Sequence, residues 1–229
     1  MGGNSYIAPA LFDFLKELRE NNNRGWFQAN RAHYESTVRE PMLRFIADFA
    51  PRLHEINRNF VADPRPLGGS MFRIHRDTRF SRDKSPYKTH VGVQFRHASA
   101  SDVHAPGFYL HLEPAEVFGA CGIWRPEAPT LAAVGEAIAK NPERWRRALS
   151  GRGFKAQWRF DGESLRRPPR GFGPDHPFIE DLKRKDFVTV TDFSEKQACG
   201  PDFMRTFAER LRTAAPFMAF LTKAVGLRT

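Results

Sequence analysis

A chain of 229 residues with 41% hydrophobic residues and 21 Phe can bury a sizeable core, and 17 Gly with 17 Pro exclude a low-complexity composition. Its formal charge is +10, from 36 Lys and Arg against 26 Asp and Glu, with a pI near 10.0; such an excess attracts polyanions and acidic ligands. No apolar run approaches the roughly 18 residues that cross a bilayer, and no secretory signal opens the chain. Gly2 lacks the Ser or Thr that myristoylation wants where Tyr6 stands, and Cys121 and Cys199 are too few for a disulfide framework and lack metal-ligand spacing, so a cytoplasmic protein without membrane attachment is expected.

Leu11, Phe14, Leu15 and Leu18 recur at helical spacing after Pro9, and Asn21-Asn22-Asn23-Arg24 ends that helix and caps the next. Phe27, Tyr34, Val38, Phe45, Ile46, Phe49, Leu53 and Ile56 continue the pattern, with Pro41 and Pro51 opening new segments or kinking one long helix. The centre has strand composition at Phe72–Ile74, Val91–Phe95, Phe108–Leu112 and Glu116–Trp124, with connectors too short for crossover helices, so these strands should pair antiparallel. Gly119 and Gly122 suggest a bulge or a close backbone approach, with Trp124 plugging the end of the sheet. Helical spacing returns through Leu131, Val134, Ile138, Trp145 and Leu149. Lys155–Phe160 and Phe187–Val190 are short strand candidates, and Asp202–Val225 reads as an amphipathic helix with a kink at Pro216. The expected fold is α+β in a single domain over 1–229: a helical part at about 8–60, a mainly antiparallel sheet at about 70–125, and a mixed part at about 127–229, with helices at both ends.

The charge is uneven. Residues 65–104 hold eight Lys or Arg against three Asp or Glu, and residues 140–170 hold ten against three. Within the first block, residues 73–88 pack six cations and two carboxylates into sixteen positions, ending in the turn signal Ser85-Pro86-Tyr87-Lys88. Familiar catalytic signatures are missing: Gly68-Gly69-Ser70-Met71-Phe72 puts Phe where a nucleophile elbow needs Gly, and there is no phosphate-binding loop, dinucleotide fingerprint or zinc-protease helix.

The complete pattern Arg73, Arg76, Asp77, Arg79, Phe80, Lys84, Pro86, Tyr87, Lys88 fixes nine positions in sixteen. It resembles the signature of a family, widespread in bacteria and present within longer fungal proteins, known as a domain of unknown function. The resemblance runs the length of the chain, through Asn21–Phe27, Glu40-Pro41-Met42, and Tyr109-x-His111-x-Glu113-Pro114 followed by the Gly-rich strand into Trp124. Gly25 stands where many relatives carry an acidic residue, so no catalytic role is given to that position. The resemblance implies kinship and brings no activity, cofactor or substrate.

Guanidinium groups bind phosphate or carboxylate through two parallel hydrogen bonds. A pocket for an anionic small molecule is therefore expected from Arg73, Arg76, Arg79, Lys84 and Lys88, with Tyr87 adding a hydroxyl or a stacking face. Asp77, among arginines, should be ionised and orient one of them. Tyr109, His111 and Glu113 alternate along one strand and share a face, so His111 with Glu113 offers an acid/base pair, and Asp77, His111 and Glu113 are the candidate catalytic residues. No cofactor or metal is assigned, because no third ligand is fixed by local spacing. The side chains of Arg73, Arg79, Lys84 and Tyr87 are expected to converge on one concave site with the 109–113 strand. Two alternatives stand beside this reading. One is a nucleic-acid-binding module that also uses residues 140–170, with Trp145 and Trp158 as its only large aromatics there. The other is a non-catalytic scaffold in which the motif is a buried Arg–Asp brace. The oligomeric state is not legible.

Overall fold

The computed structural model describes residues 6–79, 81–100 and 104–229; Phe80 of the signature, Gly2 and residues 101–103 of the loop before Pro106 lie outside them. The N-terminal part is helical: α1 (Pro9–Glu20), α2 (Arg24–Ala29), α3 (Arg31–Tyr34) and α4 (Glu40–Ile56). Asn23 caps α2 by accepting from the Trp26 amide at 3.0 Å. A π-helical turn, Glu35–Arg39, joins α3 to α4 and directly precedes Pro41. Proline has no N–H to give and its ring crowds the carbonyl one turn back; the wider turn relieves both. Pro51 lies inside α4, and the helix continues through it, held by the buried Phe45, Phe49 and Leu53.

A single antiparallel sheet follows, in the order β1-β2-β3-β4-β6-β5, from β1 (Phe60–Val61), β2 (Val91–His97), β3 (Gly107–Glu113), β4 (Glu116–Ile123), β5 (Arg159–Asp161) and β6 (Phe187–Phe193). Between β4 and β6 the chain makes α5 (Ala128–Lys140), α6 (Pro142–Ser150), α7 (Arg152–Gln157), β5 and α8 (Ile179–Leu182); α9 (Glu195–Ala198) and the long α10 (Phe203–Ala224) close it. Helices stand at both ends of one antiparallel sheet in one domain, which is the α+β arrangement expected.

One sheet face is the core. Val93, Phe95, Phe108, Leu110, Leu112, Val117, Cys121 and Ile123 are fully or almost fully buried there, under α4 and α10. Phe49 meets Phe95 at 5.0 Å and Phe207 at 5.3 Å, and Trp145 of α6 packs on Phe220 at 5.0 Å. Alternation sends Tyr109, His111 and Glu113 to the opposite face.

Three segments differ from the sequence reading. Phe72–Ile74 is not a strand: the chain makes one bridge, Met71 to Val93, and a bond from the Phe72 amide to the Gly92 carbonyl at 2.9 Å, then turns away from β2 to build the charged loop. Lys155–Phe160 begins as helix, because α7 lets Phe154 pack on Phe217 at 5.6 Å; only Arg159–Asp161 is strand. Trp124 does not plug the sheet. β4 stops at Ile123, Arg125 turns at φ +46°, and the Trp124 side chain stays 52% exposed, with His104 stacked at 5.8 Å and the Arg125 guanidinium at 4.6 Å.

Neither cysteine forms a disulfide. Burial pushes the Cys121 thiol up to about 12, against a small lowering by its Thr189 contact, and pushes Tyr34 up to about 12. Both groups stay protonated longer in the folded chain than in the unfolded one, so their contribution is complete below pH 9 and lost as pH rises from there toward 12. The unfolding free energy from urea titrations should therefore fall above pH 9, at about 1.4 kcal/mol per pH unit for the thiol alone, and Cys121→Ser should flatten the first part of that decline. An unfolding free energy independent of pH over this range would contradict the burial of both groups.

Candidate functional site

The charged segment folds into a loop closed at its base. His75 bridges Tyr87, the Arg76 amide donates to the Pro86 carbonyl at 2.9 Å, and the Lys88 amide donates to the Ile74 carbonyl at 2.7 Å. Asn22 latches this base from the N-terminal helices: its Oδ1 accepts from the Tyr87 amide at 3.1 Å and its Nδ2 donates to the Tyr87 carbonyl at 3.0 Å. The Tyr87 ring is 3% exposed and lies stacked on Phe27, centroids 4.1 Å apart.

At the exposed tip the charges pair locally. Asp77 accepts from the Arg79 guanidinium at 2.6 Å and from the Arg79 amide at 3.2 Å; the Arg79 side-chain bond is the main reason its carboxyl is held down to about 2. Asp83 accepts from the Ser85 amide at 2.9 Å, the Ser85 hydroxyl at 2.6 Å and the Arg76 guanidinium, and the Ser85 bonds lead in holding it far below the usual carboxylate range. Lys84 donates to the Thr78 carbonyl at 2.9 Å. Lys88 differs: half-buried, it donates to the Arg73 carbonyl at 2.9 Å and lies 5.3 Å from the centre of the Phe72 ring; burial, then Arg73, lowers its pKa.

On the sheet face opposite the core, β2 and β3 pair with Val91 opposite Leu112 and Gly92 opposite His111, which sets residue 90 across from residue 113. Tyr109 Oη lies 3.0 Å from His111 Nδ1, and His111 Nε2 lies 3.2 Å from Glu113 Oε2. His90 Nδ1 is 4.0 Å from the same Oε2, and the two imidazole rings are 4.6 Å apart. The other oxygen of Glu113, Oε1, accepts from Arg19 of α1 at 2.8 Å and Thr89 at 3.0 Å. His111 is 8% exposed and stacks on Phe118 at 4.6 Å. Gly92 makes this line of groups possible: a Cβ there would sit 2.7 Å from Tyr109 Oη and 2.9 Å from the Phe72 ring.

The electrostatics tie the loop to this face. Burial, then His111, pushes the His90 imidazole down to about 4; Lys88 and Arg76 add to the lowering and Glu113 opposes it. Burial also raises the Tyr109 phenol, with Glu113 second. For Glu113, burial pulls the carboxyl up, and the Thr89 and His111 bonds with the two imidazoles outweigh it, leaving the group more acidic than usual.

Of the residues named from the sequence, Tyr109, His111 and Glu113 stand together, and Arg76 and Lys88 lie at the base of the loop that leads into His90. Arg73 is exposed and acts on Lys88 and Asp77. Arg79, Asp77 and Lys84 are at the loop tip, and the Tyr87 ring enters the core, so Arg73, Arg79, Lys84 and Tyr87 do not converge on one hollow with β3. Sequence reasoning missed His90, Thr89, Arg19 and Asn22. The signal for His90 was the strand register, which a one-residue assignment of the Val91–Leu112 pair would have supplied. In the second basic block both tryptophans are taken up by the core: Trp145 is fully buried with its indole N–H on Asp181, and Trp158 is 7% exposed with its N–H on Thr213.

The class is thus an α+β domain with an imidazole–carboxylate cluster on the second sheet face beside a latched cationic loop. The chain belongs to the family of conserved hypothetical proteins DUF2461, which matches residues 10–220. No curated protein and no solved structure matches it. Among the described residues no helix is long and apolar enough to cross a membrane.

Proposed function

We propose that this domain is an enzyme that binds a phosphate- or carboxylate-bearing small molecule where the cationic loop meets the face of β2 and β3 that carries His90 and His111. The observation that carries the reading is the path of the chain: the loop base, where the Arg76 amide joins Pro86 and the Lys88 amide joins Ile74, leads within two residues to His90, 4.0 Å from Glu113 at the end of the Tyr109–His111–Glu113 line. Lys88, Arg76 and Arg73 hold the anionic group; His90, His111 and Glu113 act on the moiety attached to it. Asp77 is fully engaged by Arg79 and serves to shape the loop. Clusters of polar groups that perturb one another in a partly desolvated setting are where catalytic chemistry concentrates. The surplus charge supports the anion: within the loop Asp77 and Asp83 pair with Arg79 and Arg76, and Lys88 donates to the Arg73 carbonyl rather than to a carboxylate among the described residues.

Phosphate and sulfate should raise the thermal midpoint of the wild-type domain, since a ligand at 100 times its Kd stabilises by about 2.7 kcal/mol. Arg76→Met and Lys88→Met should each lose that gain, with little change in the midpoint without anion, because partly exposed pairs contribute little. A wild-type midpoint unmoved by either anion would end the reading.

A further inference from the structure

We infer that His90 Nδ1, His111 Nε2 and Glu113 Oε2 form a binding site for one divalent first-row transition metal ion, a deepening that rests on the proposed function only for what the ion then faces. The three atoms lie within 4.8 Å of one another, and two of the three pairs are at 3.2 and 4.0 Å. Ligands about 2.1 Å from a tetrahedral ion sit about 3.4 Å apart, so the His111–Glu113 pair is already at ligating distance. Drawing the His90 ring in by about one ångström completes the set.

The surroundings argue for a metal more strongly than the three atoms alone. Imidazole ligands are oriented by a hydrogen bond at the other ring nitrogen, and ligating carboxylates are themselves held. Here His111 Nδ1 is met by the Tyr109 hydroxyl at 3.0 Å, and Glu113 Oε1 is fixed by Arg19 and Thr89, which leaves Oε2 turned toward the two rings. A hydrogen-bonded pair would need only His111 and Glu113; the second imidazole, half-buried and across the strand pair, has a role as the third ligand. Two nitrogens and one oxygen suit zinc or iron(II) and leave coordination positions open.

Charge sets a further condition. Arg19 is bonded to the one carboxylate of the site, and Arg76 and Lys88 stand at the loop base that leads into His90, so the ion gains from an anion in its open positions. Metal and anion should therefore bind cooperatively, each tightening the other by the same factor. The open positions then face the group that Lys88 and Arg76 hold.

Titration of the full chain with cobalt(II), followed by its visible absorption, and competition by zinc test the assignment. The expected result is one ion per chain with micromolar or tighter affinity, weakened at least a hundredfold in His90→Ala and in Glu113→Gln. Thr89→Val and Tyr109→Phe, which touch no metal, should weaken it about tenfold. Circular dichroism of each variant establishes that it is folded, and the two independent ligand variants guard against one failing to fold. Absence of binding at millimolar cobalt, or binding unchanged in both ligand variants, overturns the site. Sulfate, which does not precipitate cobalt, should tighten binding severalfold in the wild type and not in Lys88→Met. Metal binding with no sulfate effect leaves the metal site standing and removes the anionic reading; sulfate stabilisation with no metal binding does the reverse.

Discussion

Gly122→Ala should cost about 3–5 kcal/mol of folding stability, enough to lower the thermal midpoint by about 10 °C or more. Gly122 sits in β4 opposite Val188 with φ +132°, where only glycine is at ease. A Cβ would stand 1.9 Å from the Phe187 carbonyl oxygen and 2.9 Å from the Val188 Cα. Both neighbours are backbone of the adjoining strand, so no side-chain rotation relieves the contact, and β4 and β6 must separate. Since whole domains are stable by only about 5–15 kcal/mol, the variant is expected to be marginal. Gly173→Ala is the control: nothing lies within 4 Å of its added carbon and its φ is not positive, so it should fall within about 0.5 kcal/mol of wild type. Equal urea midpoints for the two variants would mean that β4 and β6 do not approach as described.

Tyr87→Ala should cost a similar amount, about 3–5 kcal/mol, as the loss of a fully packed aromatic does. Tyr87→Phe should cost well under about 1 kcal/mol, because packing against Phe27 carries the residue. Asn22→Ala should fall between them, at about 1–3 kcal/mol, since it strands both backbone polar groups of Tyr87. In conditions where they remain folded, Tyr87→Ala and Asn22→Ala should also lose the stabilisation given by sulfate, because the loop base they fix carries Arg76 and Lys88. If Tyr87→Phe proves as damaging as Tyr87→Ala, the hydroxyl is the working part and the residue faces a ligand after all.

That contrast shows what the sequence carried. The strands β2, β3 and β4 were legible because their apolar residues and short connectors are local signals, and the same alternation put Tyr109, His111 and Glu113 on one face. Gly122 was legible as a close approach for the same reason. Tyr87 reads as a ligand group because it stands among arginines and lysines; its burial is decided by Asn22 and Phe27, some sixty positions earlier. His90 was only one of five histidines in the central region until β2 and β3 were placed in register, and a register that differs by one residue would send it to the other face. The pairing of β4 with β6 has no local signature either, since residues 124–186 separate the two strands. Charge density located the loop correctly, and which of its cations reach the sheet depends on where the loop is latched.

The position of α10 has a consequence for how the chain is made. Phe207 meets Phe49 of α4 and Phe95 of β2, and Arg212 reaches Glu55 at 3.2 Å, so the last long helix closes over elements synthesised first. A ribosome delivering about 5–20 residues each second exposes β2, β3 and β4 for several seconds before β6 and then α10 emerge. During that interval the Phe-rich sheet face and the unpaired edge of β4 are open to other nascent chains, which makes the interval before residue 203 the one in which chaperone capture matters most.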